Sequence, residues 1–238
     1  MKKRLDDILI ARGWADDKAQ ARALVMSGRV TGGGRILDKP GYSVAEDADL
    51  QVRHRSPYVS RAGEKLASVA ESLSLDFRDK TLLDVGSSTG GFTDFALQHG
   101  ARKVFAVDVG RGQLSYKLRQ DPRVASMERT DIRNATLPEL CDMAVVDVSF
   151  ISLTKVLEPA AALLAADSLI AAMAKPQFEA TRAVADKWRG VIPMGPERDA
   201  TLESLREWIA DRFKIVNEAD SRLPGAEGNV EHFFLIRR

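Results

Sequence analysis

The chain is poor in the residues that staple, chelate or switch. Of its 238 residues one is a cysteine, Cys141, and three are histidines. One cysteine excludes an intramolecular disulfide and a Cys-rich zinc site, and it suits a reducing, cytoplasmic setting. His54, His99 and His232 are scattered, so no metal site is expected. Long apolar runs are missing as well. The longest, Ala160 to Ala174, is shorter than a membrane span, contains Asp167 and lies between Pro159 and Pro176. No secretory signal is expected either, because Met1-Lys2-Lys3-Arg4 runs into Leu5-Asp6-Asp7-Ile8, whose acids break any apolar core. Net charge is only +1 and 45% of residues are hydrophobic, which excludes disorder as the main theme. The chain can bury a core without staples, as one large domain or a medium one with a small appendage.

The small net charge hides an uneven distribution. Residues 1–61 carry 12 Lys and Arg against 8 Asp and Glu, and the remainder carries 23 against 26. A basic segment on a mildly acidic body points to one part that grips a polyanion and another that does something else. The basic part reads as a compact helix-helix-strand unit. Leu5, Ile8 and Leu9 recur at helical spacing up to Gly13. A second helix starts after an N-cap at Asp16 or Asp17 and ends at Gly28. Short strands follow around Gly32-Gly33-Gly34 and at Asp49 to Val52, and Arg53 to Pro57 reads as a linker.

Arg4-Leu5-Asp6 with Leu9, Ser27-Gly28-Arg29-Val30, Lys39-Pro40-Gly41 and Asp49-Leu50-Gln51-Val52 resemble the small RNA-binding fold named after ribosomal small-subunit protein four, the alpha-L motif. The resemblance implies that Arg4, Lys18, Arg22, Arg29 and Arg35 contact structured RNA, chiefly at phosphates. A Thr31-Gly32-Gly33-Gly34 turn stands where that family usually has Val-Asn-Gly, so the hairpin tip departs from the pattern.

From about Tyr58 strands and helices alternate. Strands are expected at 81–86, 103–109, 124–127, 143–148 and 168–173, with a strand-like tail at 230–236. Helices are expected from Gly90 toward Gly100, over 153–165 and over 196–213. Alternating βα units imply an α/β fold, a doubly wound, Rossmann-like parallel sheet whose ligands bind at the carboxyl ends of the strands. The domain boundary is expected at 57/58.

Asp84-Val85-Gly86-Ser87-Ser88-Thr89-Gly90-Gly91-Phe92 is a glycine-rich strand-to-helix turn that fits neither the dinucleotide spacing nor a P-loop. Asp108, at the end of the second strand, is placed for a ribose diol, and Asp131, at the end of the third, for an adenine amino group. Both are expected to be buried carboxylates in want of a partner. A glycine loop and two strand-end acids without a phosphate signature describe S-adenosylmethionine better than NAD or ATP. Asp84 fits either a turn-stabilising acid or a cofactor contact, and Gly86 and Ser88 belong to the same loop. Asp147, Lys175, Lys65 and Glu231 suggest proton handling in one cleft. The 179–196 segment, with Trp188-Arg189-Gly190, fits a mobile substrate loop or a plain connector.

Tyr58-Val59-Ser60-Arg61, Gly63-Glu64-Lys65-Leu66, Val146-Asp147-Val148-Ser149-Phe150, Lys175-Pro176-Gln177-Phe178-Glu179 and Gly228-Asn229-Val230-Glu231 are similar to the TlyA, or hemolysin A, family, whose catalytic domain resembles the FtsJ/RrmJ ribose 2′-O-methyltransferases. The resemblance covers essentially the whole chain. It implies a Lys-Asp-Lys-Glu catalytic set at Lys65, Asp147, Lys175 and Glu231, and cofactor contacts at Gly90, Phe92, Asp108, Asp131 and Asp147. It further implies methyl transfer from S-adenosylmethionine to a cytidine ribose of small- or large-subunit rRNA, with Lys175 as proton acceptor. Another RNA such as tRNA, or a non-catalytic ribosome-binding role, are the alternatives; a membrane-lytic role finds no span or basic amphipathic helix to support it.

Overall fold

A computed structural model describes residues 2–52, 56–225 and 227–238. Of the expected linker, Arg53, His54 and Arg55 lie outside the described residues. The chain divides into two compact units, Met1–Arg55 and Ser56–Arg238.

In the first unit β1 (Lys2–Arg4) leads straight into α1 (Leu5–Ala11), followed by α2 (Lys18–Met26), β2 (Val30–Gly32), β3 (Arg35–Ile36), β4 (Ser43–Ala45) and β5 (Leu50–Val52). The Asp17 carboxylate caps α2 by accepting from the Gln20 amide at 2.7 Å, and Gly28 leaves it with φ +69°. Gly33 and Gly34, both at positive φ, form the two-residue turn between β2 and β3, which favours a primed hairpin turn. Leu5, Leu9, Ala21, Val25 and Val30 close a small core with no exposure. The antiparallel pairing of β1 with β4 was not foreseen, since neither three-residue strand carries an apolar alternation.

The second unit runs α3 (Arg61–Ala70), β6 (Thr81–Val85), α4 (Gly91–Gln98), β7 (Lys103–Asp108), α5 (Tyr116–Arg119), β8 (Val124–Glu128), β9 (Cys141–Val146), α6 (Leu157–Ala162), β10 (Leu164–Ala174), α7 (Pro176–Glu179), α8 (Arg182–Lys187), α9 (Pro196–Ala210), β11 (Lys214–Asp220) and β12 (His232–Arg237). Among the described residues its sheet has seven strands in the order β11-β12-β10-β9-β6-β7-β8. Successive residues face opposite sides: Leu83 and Val85 pack into one apolar layer, Leu82 and Val104 into the other.

Three expectations need correction. The sheet is not wholly parallel: β12 runs antiparallel to both β10 and β11. A fully buried strand is apolar whichever way it points, so its pattern carries no direction. The helix expected over 153–165 is a 3₁₀ turn at Leu153–Lys155 and the short α6, and residues from Leu164 already belong to β10. Asp167, at φ +59°, marks the irregularity where β10 shifts register against β9. Finally, α3 and β11 were not anticipated as elements.

β6 is followed in the sheet by β7 and β8 on one side, while the chain's next strand, β9, lies on the other. Strand order therefore reverses between β6 and β9, and a crevice opens at their carboxyl ends. Val85 pairs with Val146, so Gly86 and Asp147 emerge side by side, with the Asp147 amide donating to the Val85 carbonyl at 2.9 Å.

Candidate active site

The loop after β6 turns tightly because its backbone is left-handed at Gly86, Ser88 and Gly90. A Cβ on Gly86 would collide with the Asp147 carbonyl, so only glycine lets the two strand ends approach. Gly90 packs instead against Leu114 and Leu118; its part is to seat α5, and it does not line the cleft. The Ser88 amide donates to Asp108 Oδ2 at 2.8 Å, and the Gly110 amide donates to Oδ1 at 2.6 Å. Asp108 thereby ties the first loop to the second. Glu128 holds the second loop in turn, accepting from the amides of Gly112, Gln113 and Leu114 at 2.7, 2.8 and 3.2 Å.

These loops enclose a cleft of about 470 Å³ bordered by Val107, Asp108, Gln113, Asp131, Val148 and Ile151. It continues past Gly86, Ser88, Asp147 and Ser149 into a compartment of about 170 Å³ walled by Ser60, Asp84, Thr89 and Phe92. Asp108 and Asp131 thus border the cleft, but neither is a buried, partnerless carboxylate. Asp131 is half-buried and clasped by Arg133, at 2.5 Å from Nη2, which holds its carboxyl down to about 2. The partner lies two residues along, where strand-end reasoning does not look. Phe92 is buried in the core against Phe233 and also borders the compartment.

Asp84 is the unusual acid. It is wholly buried; Thr93 Oγ1 donates to Oδ2 at 2.5 Å, and Oδ1 has no partner. Burial, reinforced by the charges of Asp147 and Asp108, pushes its carboxyl up to about 7. An orphaned carboxylate oxygen at the end of a narrow compartment suits an ammonium ligand. The wider compartment, with Asp108 on its rim, suits a nucleoside.

Beyond Asp147 the cleft meets a third pocket of about 210 Å³, bordered by Lys65, Ser149, Lys175, Gln177, Phe178 and Glu231. Lys65 is delivered by α3, which crosses α4 so closely that a Cβ on Gly63 would stand 2.8 Å from the Gly91 carbonyl. Its Nζ contacts Glu231 Oε1 at 2.5 Å, while Glu231 Oε2 is buried without a partner. Lys175, just past β10, contacts Asp147 Oδ1 at 2.6 Å as an ion pair off the hydrogen-bond direction, and donates to Ser149 Oγ at 2.7 Å. All four expected residues thus converge, as two lysine–carboxylate pairs at one junction. Ser149 borders all three compartments and was not singled out from the sequence; neither was Phe150, which is 90% exposed at φ +63° with its ring 5.0 Å from that of Phe178. The 179–196 segment contains α8 and is clipped to the segment leading into β12 by buried Asn229, which donates to the Gly190 carbonyl at 2.8 Å and accepts from the Ile192 amide at 2.9 Å.

In the first unit, Arg4, Lys18 and Arg22 gather around two acids. Arg4 grips buried Asp6 at 2.8 Å, Arg22 reaches it at 3.5 Å, and Lys18 contacts Asp7 at 3.0 Å. The hydrogen bond from Arg4 outweighs burial and lowers the Asp6 carboxyl below its ordinary range. Arg29 and Arg35 form no ion pair among the described residues and lie apart, after α2 and on β3.

Residues 58–238 match the family described as FtsJ-like methyltransferase. The chain belongs to that family. It is 40% identical to the putative rRNA methyltransferase YqxC of Bacillus subtilis, over 97% of this chain and 84% of that one. It is 37% identical to the 16S/23S rRNA (cytidine-2′-O)-methyltransferase TlyA of Mycobacterium tuberculosis, over 99% and 90%. A solved structure of a putative hemolysin from Streptococcus thermophilus superposes with a TM-score of 0.76 at 36% identity, covering 100% of this chain and 88% of that one. Separately, 56 residues at the N-terminal side are 39% identical to small ribosomal subunit protein uS4 of Latilactobacillus sakei, covering 24% of this chain and 28% of that protein. The YqxC and TlyA relatives thus span both units, and the N-terminal side has a further likeness to uS4.

Proposed function

We propose that this methyltransferase transfers a methyl group from S-adenosylmethionine to a ribose 2′-hydroxyl, with cytidine in small- or large-subunit rRNA as the acceptor. One observation carries the reading: Lys65, Glu231 and Lys175 border one pocket, and Asp147, the ion-pair partner of Lys175, borders the nucleoside-sized cleft that meets this pocket at Ser149. The fit to the cofactor rests on the orphaned Asp84 oxygen and on the two-compartment cleft. Asp108, Ser88 and Gly86 would hold its nucleoside side, and Asp84 its amino acid side. When bound, it supplies an electrophilic methyl on a sulfonium.

This chain's own residues do the rest. A ribose hydroxyl is a weak nucleophile far above neutral in pKa, so a proton acceptor must lie within hydrogen-bond reach. Lys175 Nζ is the group placed to take the hydroxyl proton, and Asp147 stabilises the ammonium that results. Ser149 fixes the direction of Nζ. Lys65, held by Glu231, grips the ribose from the other side of the pocket. Positioning of this kind supplies most of the acceleration. Phe150 offers an exposed face on which an unstacked base can lie. The uS4-like unit would supply phosphate contacts through Arg29 and Arg35 first, since the other three basic residues are already engaged by acids. A cytoplasmic place follows from such a substrate. Some relatives are called hemolysins; among the described residues no helix is long and apolar enough to cross a membrane.

The test is transfer of labelled methyl to unmodified small subunits, large subunits and tRNA, with identification of the nucleoside formed. A 2′-O-methylcytidine in rRNA is expected. Lys175→Ala should lower turnover at least ~100-fold, the usual worth of a positioned acid–base group, while cofactor affinity stays within about twofold. Unchanged turnover would remove Lys175 from the chemistry.

A further inference from the structure

The segments that leave the neighbouring parallel strands β9 and β10 are cross-linked at successive levels. Lys175 meets Asp147 at 2.6 Å and Ser149 at 2.7 Å, Phe178 faces Phe150, and Glu179 closes the far end. Glu179 Oε2 accepts from Ser152 Oγ at 2.6 Å, and Oε1 accepts from the Leu153 amide at 2.9 Å. The Lys175 contacts belong to the reacting end. Glu179 borders neither the cofactor cleft nor the acceptor pocket, and it has no cationic partner among the described residues.

Its position is costly. Burial raises the Glu179 carboxyl above its ordinary range, against the two hydrogen bonds that favour its charged form. A half-buried acid with both oxygens spent on one loop is there to hold that loop. The loop carries Phe150, an aromatic residue in the left-handed region with its ring turned out to solvent. Such a conformation persists only when its surroundings over-determine it. Phe178 restrains the ring, and Glu179 restrains the Ser152 hydroxyl and the Leu153 amide, two and three residues further on.

We infer that Glu179 is a positioning residue for RNA capture: its carboxylate fastens the 149–153 loop to α7 so that Phe150 is presented, already formed, to the base of the acceptor nucleotide. The inference rests on the ribose-methylation reading of the site.

Steady-state methylation of unmodified ribosomal subunits tests it, with cofactor binding measured separately by calorimetry. Glu179→Ala should raise KM for RNA about tenfold, the worth of one to two hydrogen bonds to a charged group, with a smaller change in kcat and a much smaller rise in cofactor Kd, since Ile151 of the same loop borders the cofactor cleft. Glu179→Gln, which keeps one acceptor, should recover part of the loss. Phe150→Leu should raise KM alone, and adding Glu179→Ala to it should make nothing worse, because both act through one contact. An unchanged KM in Glu179→Ala, effects that multiply in the double variant, or a cofactor Kd that rises in parallel would each overturn the inference. Wild-type protein that methylates no RNA would overturn the underlying reading, and this inference with it.

Discussion

Asp84 carries the clearest pH signature. With its carboxyl at about 7 in the folded chain, against 3.8 ordinarily, the protein binds a proton that the unfolded chain has lost between those values. Asp84 therefore makes stability fall as pH rises from about 4 to 7. Cofactor binding has the opposite sense, because an ammonium ligand favours the carboxylate. Affinity for S-adenosylmethionine should drop toward tenfold per unit as pH falls below about 7, and binding there should release a proton. Calorimetry in buffers of different ionisation enthalpy reads this directly, and Asp84→Asn should flatten the profile. At this scale the sequence was legible where chemistry and strand ends coincide, at Asp147 after β9 and Lys175 after β10; Lys65 on α3 and Glu231 before β12 meet them at the same junction. It was not legible where a neighbour decides. Thr93 reaches back nine residues to Asp84, and Arg133 neutralises Asp131 from two residues away. Ser149 and Phe150 lay inside a motif already quoted, yet nothing in their types announces a pocket junction or a left-handed aromatic.

Elements were read well where periodicity is strong and poorly where packing chooses. β6 and β7 were apparent as apolar runs closed by glycine-bearing turns, and α9 from Leu202, Leu205 and Ile209 at helical spacing. α3 was missed because Gly63 and the polar Ser60–Lys65 stretch look like a loop, although the glycine is what allows two helices to touch. Gly63→Ala should test that contact. The added methyl would stand 2.6 Å from the Tyr58 side chain, so α3 must move away from α4 and carry Lys65 off Glu231. Overpacking of this kind costs about 1–3 kcal/mol, and Tm should fall together with turnover. β11 and the direction of β12 escaped because a strand's partners lie far along the chain and leave no local trace.

The whole molecule is two units, the first with an added likeness to uS4 and the two with opposite charge balance. Salt dependence of rRNA binding reports which charges are available for phosphate. Arg29→Ala and Arg35→Ala should each reduce the slope of log K against log salt by about 1, whereas Arg22→Ala should reduce it less, since Asp6 already screens that guanidinium. Equal slopes for all three would show that the Asp6 cluster opens on RNA.

The antiparallel β12 also sets an order of assembly. It lies between β10 and β11 in the sheet, yet it is made after both. Until residues 232–237 leave the ribosome, the eleven-residue β10 presents a bare, mostly apolar edge and β11 has no strand to pair with. Such an edge is a template for wrong neighbours. A nascent chain stalled just short of His232 would thus hold most of its cofactor cleft, lack the Glu231 side of its acceptor pocket in place, and be at its most prone to aggregate.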